Sequence, residues 1–239
     1  MNEKIKGIIL AGGTGSRLYP LTKVTNKHLL PVYKKPMILY PIETLKSLGI
    51  KEITLVSGGE HIADFMRFFG SGLGFGIRIT YRVQDGPKGI AHALLQAEES
   101  VKQDEKLAVI LGDNIFEKVE VPKEAFSDKN AYIFAKEIKD PERFGVIKLN
   151  EKKEIIDIIE KPKEPPSNFA VTGLYIYPND VFDFIKTLKP SQRGELEITE
   201  VNNWYIKQAR LKAIFLDGFW SDAGTFDSLL NATLFAAGR

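Results

Sequence analysis

The feature that most constrains this chain is a glycine-rich loop directly after a short apolar stretch. Residues 4–10 have the composition of a buried strand, and the sequence AGGTGSR at residues 11–17 ends it. Glycine reaches positive φ without a steric penalty and lets backbone N–H groups approach a phosphate closely. Arg17 adds a guanidinium that can bind two phosphate oxygens. The loop therefore predicts an anion site after the first strand, with a purely structural turn as the alternative.

Two familiar phosphate-binding motifs do not account for this loop. The P-loop requires G-x-x-x-x-G-K-[ST], but Arg17 stands five positions after Gly12 and no Lys-Ser or Lys-Thr pair follows a glycine. The dinucleotide motif G-x-G-x-x-G fits Gly13 and Gly15 but has Leu18 in place of the third glycine. A phosphate loop of another kind remains.

The composition is that of an ordinary globular domain and excludes several classes of protein. Of the 239 residues, 44% are hydrophobic and 27% are charged, which excludes disorder and fibres. The absence of cysteine excludes disulfides and thiolate metal sites, and makes a reducing cytoplasm the default location. Neither a signal peptide nor a membrane span is expected, because residues 1–6 are charged and no apolar run approaches about 20 residues.

The charge is nearly balanced overall but uneven along the chain. A net charge of +2 is too small to indicate general nucleic-acid binding. Residues 1–35 carry seven basic side chains against Glu3 alone, a local charge of +6, whereas the remainder has 26 basic and 30 acidic side chains. An anionic ligand near the N-terminal segment would explain this asymmetry, and a solvated basic face is the alternative.

The first 115 residues alternate between strand and helix patterns. Strands are expected at residues 52–57, 77–81 and 107–111, and helices at residues 36–48, 62–69 and 89–101. Such alternation is typical of a parallel sheet covered by helices on both faces.

Beyond Asp113 the pattern becomes β-rich. Strands are expected at residues 131–136, 144–149, 154–159, 170–177 and 211–216, and helices at residues 179–188, 195–208 and after residue 224. The Pro-rich stretch 161–166 is too short for a domain linker. We therefore expect one α/β domain, in which residues 1–115 and 211–239 form the main part and residues 116–210 form a smaller β-rich lobe.

Two aspartates are candidate ligands for a divalent cation. Asp113 follows the buried strand 107–111, and ligands of open α/β sheets bind beyond the carboxyl ends of the strands. A magnesium–phosphate site typically uses one or two carboxylates, and Asp222 is the natural second one. Each has a structural alternative: Asp113 as a turn residue, and Asp222 as the N-cap of the last helix.

Three further positions carry polar groups suited to ligands. Lys27, between two prolines, is a second cation beside Arg17 or a solvated lysine. Gln84 ends a strand and offers both a donor and an acceptor, which suits a nucleobase edge, although an exposed glutamine is the commoner outcome. Glu160 and Lys161 end another strand, and because strand side chains alternate, both are not expected to face the same core.

Histidine and serine chemistry has no support in the sequence. His28, His61 and His92 show no metal-ligand spacing, and no serine lies in a G-x-S-x-G motif. Zinc catalysis and acyl transfer are therefore not expected.

Several motifs that are weak singly form a strong ordered set. They are LAGGTGSRL at 10–18, Lys27 with LLP at 29–31, KPM at 35–37, LGDN at 111–114, EKP at 160–162, VTG at 171–173 and GELEIT at 194–199. The set resembles the sugar nucleotidylyltransferases over essentially the whole chain. The resemblance is strongest to members that act on dTTP and glucose 1-phosphate.

The resemblance implies a fold and a reaction. The expected fold is a Rossmann-like nucleotidyltransferase fold, with a mixed, mostly parallel central sheet, helices on both faces and a smaller β-rich lobe that binds the sugar. The expected reaction is Mg²⁺-dependent transfer of a thymidylyl group from dTTP to α-D-glucose 1-phosphate, with release of pyrophosphate. The expected partners are these small molecules, without nucleic acid or membrane, in a homo-oligomer such as a dimer or tetramer.

The resemblance also assigns roles to residues. Arg17, Lys27, Asp113, Lys161 and Asp222 would be catalytic, with Asp113 and Asp222 holding the metal. The nucleotide would be bound by Leu10, Gly12, Gly13, Arg17, Gln84, Gly89 and Asp113. The sugar phosphate would be bound by Gly145, Glu160, Lys161, Val171, Tyr175 and Arg193.

Departures from the family pattern leave alternatives open. His28 stands where many members that use dTTP have glutamine, and Phe144 where many have tyrosine, so UTP or another sugar 1-phosphate is an alternative substrate. A catalytically silent sugar-nucleotide-binding relative is a third interpretation. The sequence stops at Arg239, before the C-terminal helical extension that helps form a regulatory nucleotide site in longer members, so the resemblance does not extend to feedback through that site.

Overall fold

The structure is a computed structural model that describes residues 4–239; residues 1–3 of the charged N-terminus lie outside it. The strands are β1 (Ile5–Ala11), β2 (Pro31–Val32), β3 (Lys35–Pro36), β4 (Glu52–Gly58), β5 (Arg78–Gln84), β6 (Lys106–Leu111), β7 (Ile115–Phe116), β8 (Ala131–Glu137), β9 (Gly145–Leu149), β10 (Ile155–Glu160), β11 (Phe169–Tyr177), β12 (Leu211–Phe215) and β13 (Trp220–Ser221).

The helices are short. They are α1 (Leu39–Ser47), α2 (Ile62–Phe69), α3 (Ile90–Leu95), α4 (Val181–Ile185), α5 (Ile198–Lys207) and α6 (Phe226–Ala236), with 3₁₀ turns at Ser16–Leu18, Leu21–Lys23, Lys27–Leu29, Leu73–Phe75, Glu98–Ser100, Lys123–Phe126 and Pro141–Arg143. The longest, α6, has 11 residues, whereas crossing a bilayer takes about 20. No helix within residues 4–239 therefore meets the requirements of a membrane span.

One mixed sheet forms the centre of the molecule. Its strand order is β10-β9-β11-β6-β1-β4-β5; β8 also pairs with β11, and β12 pairs with β8. The strands β6, β1, β4 and β5 are parallel, and β1 in the middle is buried along its whole length. This parallel part confirms the expectation drawn from the first 115 residues.

Alternate residues of β1 face two separate cores. Ile8 and Leu10 pack on one face of the sheet with α3, α4 and α5, while Ile9 packs on the other face with α1 and α2. Both faces are apolar because both are covered by helices. The predicted arrangement of helices on both sides of the sheet is confirmed.

Strand β11 joins the β-rich region to the parallel part. One edge of β11 pairs with β8 from Phe169 to Ile176, and the other edge pairs with β9 at Ala170 and runs antiparallel to β6 from Leu174 to Tyr177. The register with β8 shifts between Val171 and Tyr175. The strands of residues 116–210 thus extend the same sheet.

The differences from the predicted elements lie at helix ends and in short pairings. The helices expected at 89–101 and 179–188 end early because their last turns tighten into i→i+3 hydrogen bonds, as from Ala97 N to Leu94 O. The two-residue pairs β2–β3 and β7–β13 were not predicted. The structural alternative for Asp222 is wrong, because Thr225 is the N-cap of α6 and forms a capping box with Ser228.

Candidate active site

The predicted site residues converge on a cleft at the carboxyl ends of β1, β5 and β6. The glycine loop follows β1, Gln84 is the last residue of β5, and Asp113 lies two residues beyond β6. Two cavities of about 260 Å³ and 420 Å³ open into this cleft, and Arg17 and Asp113 line both of them. The two cavities therefore meet at the loop and at the end of β6.

The smaller cavity gathers the residues predicted to bind the nucleotide. Its walls include Leu10, Gly12, Gly13, Arg17, Lys27, Gln84, Gly89 and Asp113. The larger cavity gathers those predicted to bind the sugar phosphate. Its walls include Gly145, Glu160, Lys161, Val171, Tyr175 and Arg193, together with Asp222.

Each glycine of the loop has a local reason to be glycine. Gly13 and Gly15 have φ of 92° and 64°, which side chains rarely adopt. A Cβ at Gly12 would lie 2.8 Å from Gln84 Oε1, and one at Gly15 would lie 2.7 Å from a methyl carbon of Thr22. The absence of side chains at these positions therefore lets other groups approach the backbone of the loop closely.

Gln84 is buried, contrary to the commoner exposed outcome. Its exposed fraction is 5%, and its Nε2 donates to the carbonyl oxygen of Gly89 at 3.1 Å and lies 3.1 Å from His92 Nδ1. The amide is therefore fixed beside Gly89 on the wall of the smaller cavity.

Lys27 and Asp113 form a buried ion pair. Asn26 caps the short 3₁₀ turn that begins at Lys27, and Lys27 Nζ lies 2.5 Å from Asp113 Oδ2. Burial alone would raise the pKa of the Asp113 carboxyl, but Lys27 and the hydrogen bond from Asn114 outweigh burial and hold it below its usual range. Lys27 is therefore not a solvated surface lysine.

Asp222 is the second carboxylate of the larger cavity. Burial and the nearby negative charge of Asp113 raise its pKa, although Arg143 partly compensates through Nη2 at 3.1 Å from Oδ2. Two carboxylates that repel each other in one cavity suit a divalent cation, whose remaining ligands would be phosphate oxygens and water. The pair of aspartates fits Mg²⁺. Among residues 4–239, no group of three His, Cys, Asp or Glu side chains is arranged to hold a metal ion by itself.

Glu160 and Lys161 both line the larger cavity, but they do not share a core: Glu160 is half-buried and Lys161 is exposed, which agrees with the expectation from strand alternation. Strand β10 ends at Glu160, and Lys161 has a φ of 43°, which turns its side chain back toward its neighbour. Lys161 Nζ lies 3.7 Å from Glu160 Oε1, and Thr199 Oγ1 donates to Glu160 Oε2 at 2.5 Å.

Arg193 reaches the larger cavity with carboxylates around it. Its Nη2 lies 3.0 Å from Glu195, 2.9 Å from Glu197 and 3.5 Å from Glu160. A phosphate at Arg193 would compete with these carboxylates for the guanidinium.

Sequence reasoning missed Asn114 and Arg143 as site residues. Asn114 Oδ1 accepts hydrogen bonds from Gly173 N and Trp220 Nε1, while its Nδ2 donates to Asp113 Oδ1 at 2.9 Å. Adjacency to Asp113 in the LGDN motif was the available signal for Asn114. Arg143 gave no signal, since its partner Asp222 is 79 positions away in sequence.

His28 and Phe144, the two departures from the family pattern, are both ordered parts of the site. His28 is buried beside Gly112, and burial and Lys27 lower its pKa to about 3, so it is neutral at physiological pH. Phe144 packs edge-on against Trp220, with ring centroids 5.1 Å apart. Phe144 offers this cavity an aromatic edge without a hydroxyl.

A glycine-rich loop after the first strand of the sheet, with two carboxylates and Arg17 of the loop lining one cavity, is typical of nucleotide-transferring enzymes. The chain belongs to the nucleotidyl transferase family, whose model matches residues 6–238. This confirms the resemblance inferred from the ordered motifs.

Within the family the chain is similar to glucose-1-phosphate thymidylyltransferases. It is 46% identical to that of Neisseria meningitidis and 44% identical to that of Mycobacterium tuberculosis, in each case over 97% of this chain and 82% of the relative. A crystal structure from Bacillus anthracis assigned to the same enzyme, in complex with sucrose, is 51% identical, with a TM-score of 0.92 over 98% of this chain and 96% of that one. A UDP-glucose pyrophosphorylase complexed with UDP-glucose is 27% identical, with a TM-score of 0.85 over 98% and 99%.

Proposed function

We propose that this chain transfers a thymidylyl group from dTTP to α-D-glucose 1-phosphate, giving dTDP-glucose and pyrophosphate. The observation that carries the proposal is the meeting of the two cavities at Arg17 and Asp113. A nucleotide in the smaller cavity and a sugar phosphate in the larger one would bring their phosphates together there.

The chain's residues act by alignment and by neutralising charge, which is most of what phosphoryl-group transfer requires. Lys161 and Arg193 orient the sugar phosphate so that one oxygen attacks the α-phosphorus of dTTP. A new P–O bond forms while the bond to the bridging oxygen breaks, and pyrophosphate leaves with the electron pair. Arg17 and Lys27 stabilise the negative charge that develops on the leaving group.

Gln84 and the backbone at Gly89 contact the base in this proposal. Both line the smaller cavity, and the hydrogen bond between them fixes the edge of the amide. Gly145, Glu160, Val171 and Tyr175 surround the sugar.

Asp113 and Asp222 would hold Mg²⁺. When bound, Mg²⁺ supplies positive charge that draws the two anionic substrates together and screens the phosphates. No general base is needed, because the attacking phosphate oxygen is already ionised near neutral pH. The neutral, buried His28 agrees with a reaction that uses no histidine as acid or base.

Three wider features belong to the same proposal. The enzyme acts in the cytoplasm on small molecules, it assembles as a homo-oligomer, and residues 116–210 supply most of the sugar site. The cavity residues from Arg143 to Arg193 support the last of these.

The test is pyrophosphate release across dTTP, UTP, ATP and GTP with several sugar 1-phosphates, with and without Mg²⁺. We expect the highest kcat/KM with dTTP and glucose 1-phosphate, and loss of turnover after Mg²⁺ is removed with EDTA. Faster turnover with UTP than with dTTP would contradict the assignment of thymine as the base. UTP is the specific alternative because a UDP-glucose pyrophosphorylase shares this fold. The absence of turnover with any pair would favour a silent sugar-nucleotide-binding protein.

A further inference from the structure

Asn202 is a buried amide on the wall of the larger cavity. Its exposed fraction is 1%, and it lines the cavity together with Glu160 and Tyr175. It lies three positions after Thr199 on α5, so the two side chains share one face of the helix. Because Thr199 donates a hydrogen bond to Glu160, this face of α5 is turned toward the proposed sugar site.

Helix α5 is held firmly against the sheet at this point. Asn203 Oδ1 accepts from the Ile158 N–H at 2.9 Å, and Asn203 Nδ2 donates to the Ile158 carbonyl oxygen at 2.8 Å. Both backbone groups of one β10 residue are thus bound by one side chain of α5. The wall that carries Asn202 is therefore well fixed.

Tyr177 determines how the Asn202 amide is oriented. Tyr177 Oη donates to Asn202 Oδ1 at 2.6 Å, and the ring of Tyr177 is stacked between Tyr175 and Tyr205, with centroids 5.5 Å and 5.8 Å away. The amide oxygen is satisfied, which leaves Nδ2 free to donate. Within residues 4–239, no hydrogen bond runs from Nδ2 to a protein acceptor, and Nδ2 is not one of the fully enclosed side-chain atoms that lack a partner, so it is accessible from the cavity that Asn202 lines.

An amide donor on a cavity wall that has no partner in the protein is available to a ligand or to water. We propose that Asn202 Nδ2 donates a hydrogen bond to a hydroxyl oxygen of the sugar, and that Tyr177 is the positioning residue that aims this amide. The inference rests on the proposed function and adds a residue by which the cavity would recognise a particular sugar. The sugar ring is the proposed acceptor because Asn202 lines the cavity together with Glu160 and Tyr175, which are assigned to the ring, while Lys161 and Arg193 are assigned to the phosphate.

The experiment is steady-state kinetics on the full chain with Asn202→Ala, Tyr177→Phe and a matched control, Tyr205→Phe. Tyr205 belongs to the same aromatic stack and is fully buried, but its hydroxyl donates to Asp180. Each tyrosine variant loses one hydroxyl, but only the hydroxyl of Tyr177 contacts Asn202. Circular dichroism and thermal melting establish that each variant folds.

We expect Asn202→Ala to raise the KM for glucose 1-phosphate about tenfold, while the KM for dTTP changes less than about twofold. Tyr177→Phe should raise the sugar KM by a smaller factor, and Tyr205→Phe should leave it unchanged. If Asn202→Ala fails to fold, Asn202→Asp replaces it, because aspartate keeps the size of the side chain and the acceptor for Tyr177 but removes the donor.

Deoxyglucose 1-phosphates, each lacking one ring hydroxyl, give the decisive comparison. The wild-type protein should lose kcat/KM on the analogue that lacks the recognised hydroxyl, and Asn202→Ala should cause no further loss on that analogue. Three results would overturn the inference. Asn202→Ala could lower kcat/KM equally on every analogue, or it could raise the KM for dTTP as much as the KM for glucose 1-phosphate. The third is an equal effect of Tyr205→Phe and Tyr177→Phe on the KM for glucose 1-phosphate. A wild-type protein inactive with every sugar 1-phosphate would instead refute the proposed function.

Discussion

Asp113 and Asp222 share a cavity but have opposite electrostatic surroundings. Lys27 and Asn114 contact Asp113 and lower its pKa, whereas burial and the charge of Asp113 raise the pKa of Asp222. Asp113 is thus the carboxylate that its neighbours keep ionised, and it is also the one that lines both cavities.

We expect Asp113→Asn to lower kcat by at least about a thousandfold while the protein stays folded. Asparagine keeps the shape of the side chain but removes the charge that pairs with Lys27 and that would bind the cation. The pyrophosphate-release assay measures kcat, and circular dichroism and the melting temperature measure folding.

A matched control is Asp104→Asn, which removes a carboxylate that is mostly exposed and paired with Lys4 at 3.8 Å. Its activity should equal that of the wild type. Near-normal turnover of Asp113→Asn would contradict a catalytic role for Asp113.

Sequence patterns locate single residues best when the relevant neighbours are close in the chain. The glycine loop, Asp113 and Lys161 were found from local motifs. Arg143 could not be found, because its role depends on contact with Asp222 from a distant strand. The alternation rule correctly kept Glu160 and Lys161 out of one core, but it gave no sign that both line the larger cavity, because Lys161 lies beyond the end of β10 and has a positive φ.

At the scale of elements, the loop before α3 is joined to the segment before α5 by backbone hydrogen bonds. Leu196 N donates to Lys88 O at 2.8 Å, and Ala91 N donates to Leu196 O at 3.1 Å. Gly89 lies between these bonds, and a Cβ there would be 2.5 Å from Leu196 O. The proposed base-binding loop and the segment that carries Arg193 are therefore in direct contact.

We expect Gly89→Ala to lower the free energy of unfolding and to raise the KM values for both dTTP and glucose 1-phosphate. The new methyl group would push Leu196 away and disturb both segments, and the φ of 96° adds strain. Urea unfolding and steady-state kinetics give the two measurements.

Gly86→Ala is the control for strain alone. Gly86 lies in the same loop with a φ of 77°, but a Cβ there would meet nothing within 4 Å. It should cost about 1 kcal/mol of stability and leave both KM values nearly unchanged. If the two variants behave alike, close approach to Leu196 is not the reason for glycine at position 89.

Elements with long apolar patterns could be predicted, and those held by tertiary contact could not. Strands β1, β4 and β6 are buried apolar runs, which their sequences identify. The pair β7–β13 has two residues a strand and joins segments about a hundred positions apart. Such a pair has no periodicity of its own.

At the scale of the whole molecule, a polar cluster around Asp128 joins three strands on the side of the sheet that carries β12. Asp128 accepts hydrogen bonds from Lys106 of β6, Tyr132 of β8 and Lys212 of β12. Burial alone would raise the pKa of Asp128, but the hydrogen bonds from Tyr132, Asn130 and Lys106 outweigh it and hold the pKa well below its usual range.

We expect Asp128→Asn to lower the free energy of unfolding at pH 7 by about 1–3 kcal/mol. Because the pKa of Asp128 is lower in the folded state, its contribution is present above the unfolded pKa of about 3.9 and is lost as the pH falls further. The difference between wild type and variant should therefore narrow below about pH 4 in urea titrations.

Asp183→Asn is the control for removal of a carboxylate, since Asp183 is exposed on α4. Its stability should follow that of the wild type at each pH. A difference between wild type and Asp128→Asn that stays constant from pH 7 to pH 3 would contradict the assignment.

Strand β11 pairs with β8 along one edge, and with β9 and then β6 along the other edge. A cut on either side of this strand would leave an unpaired sheet edge in one fragment. Exchanging the half proposed to bind the sugar for that of a relative would therefore also require the pairing between β11 and β6 to be rebuilt. Chimeras and split versions of this protein should keep β11 intact and in the same fragment as its neighbouring strands β8 and β6.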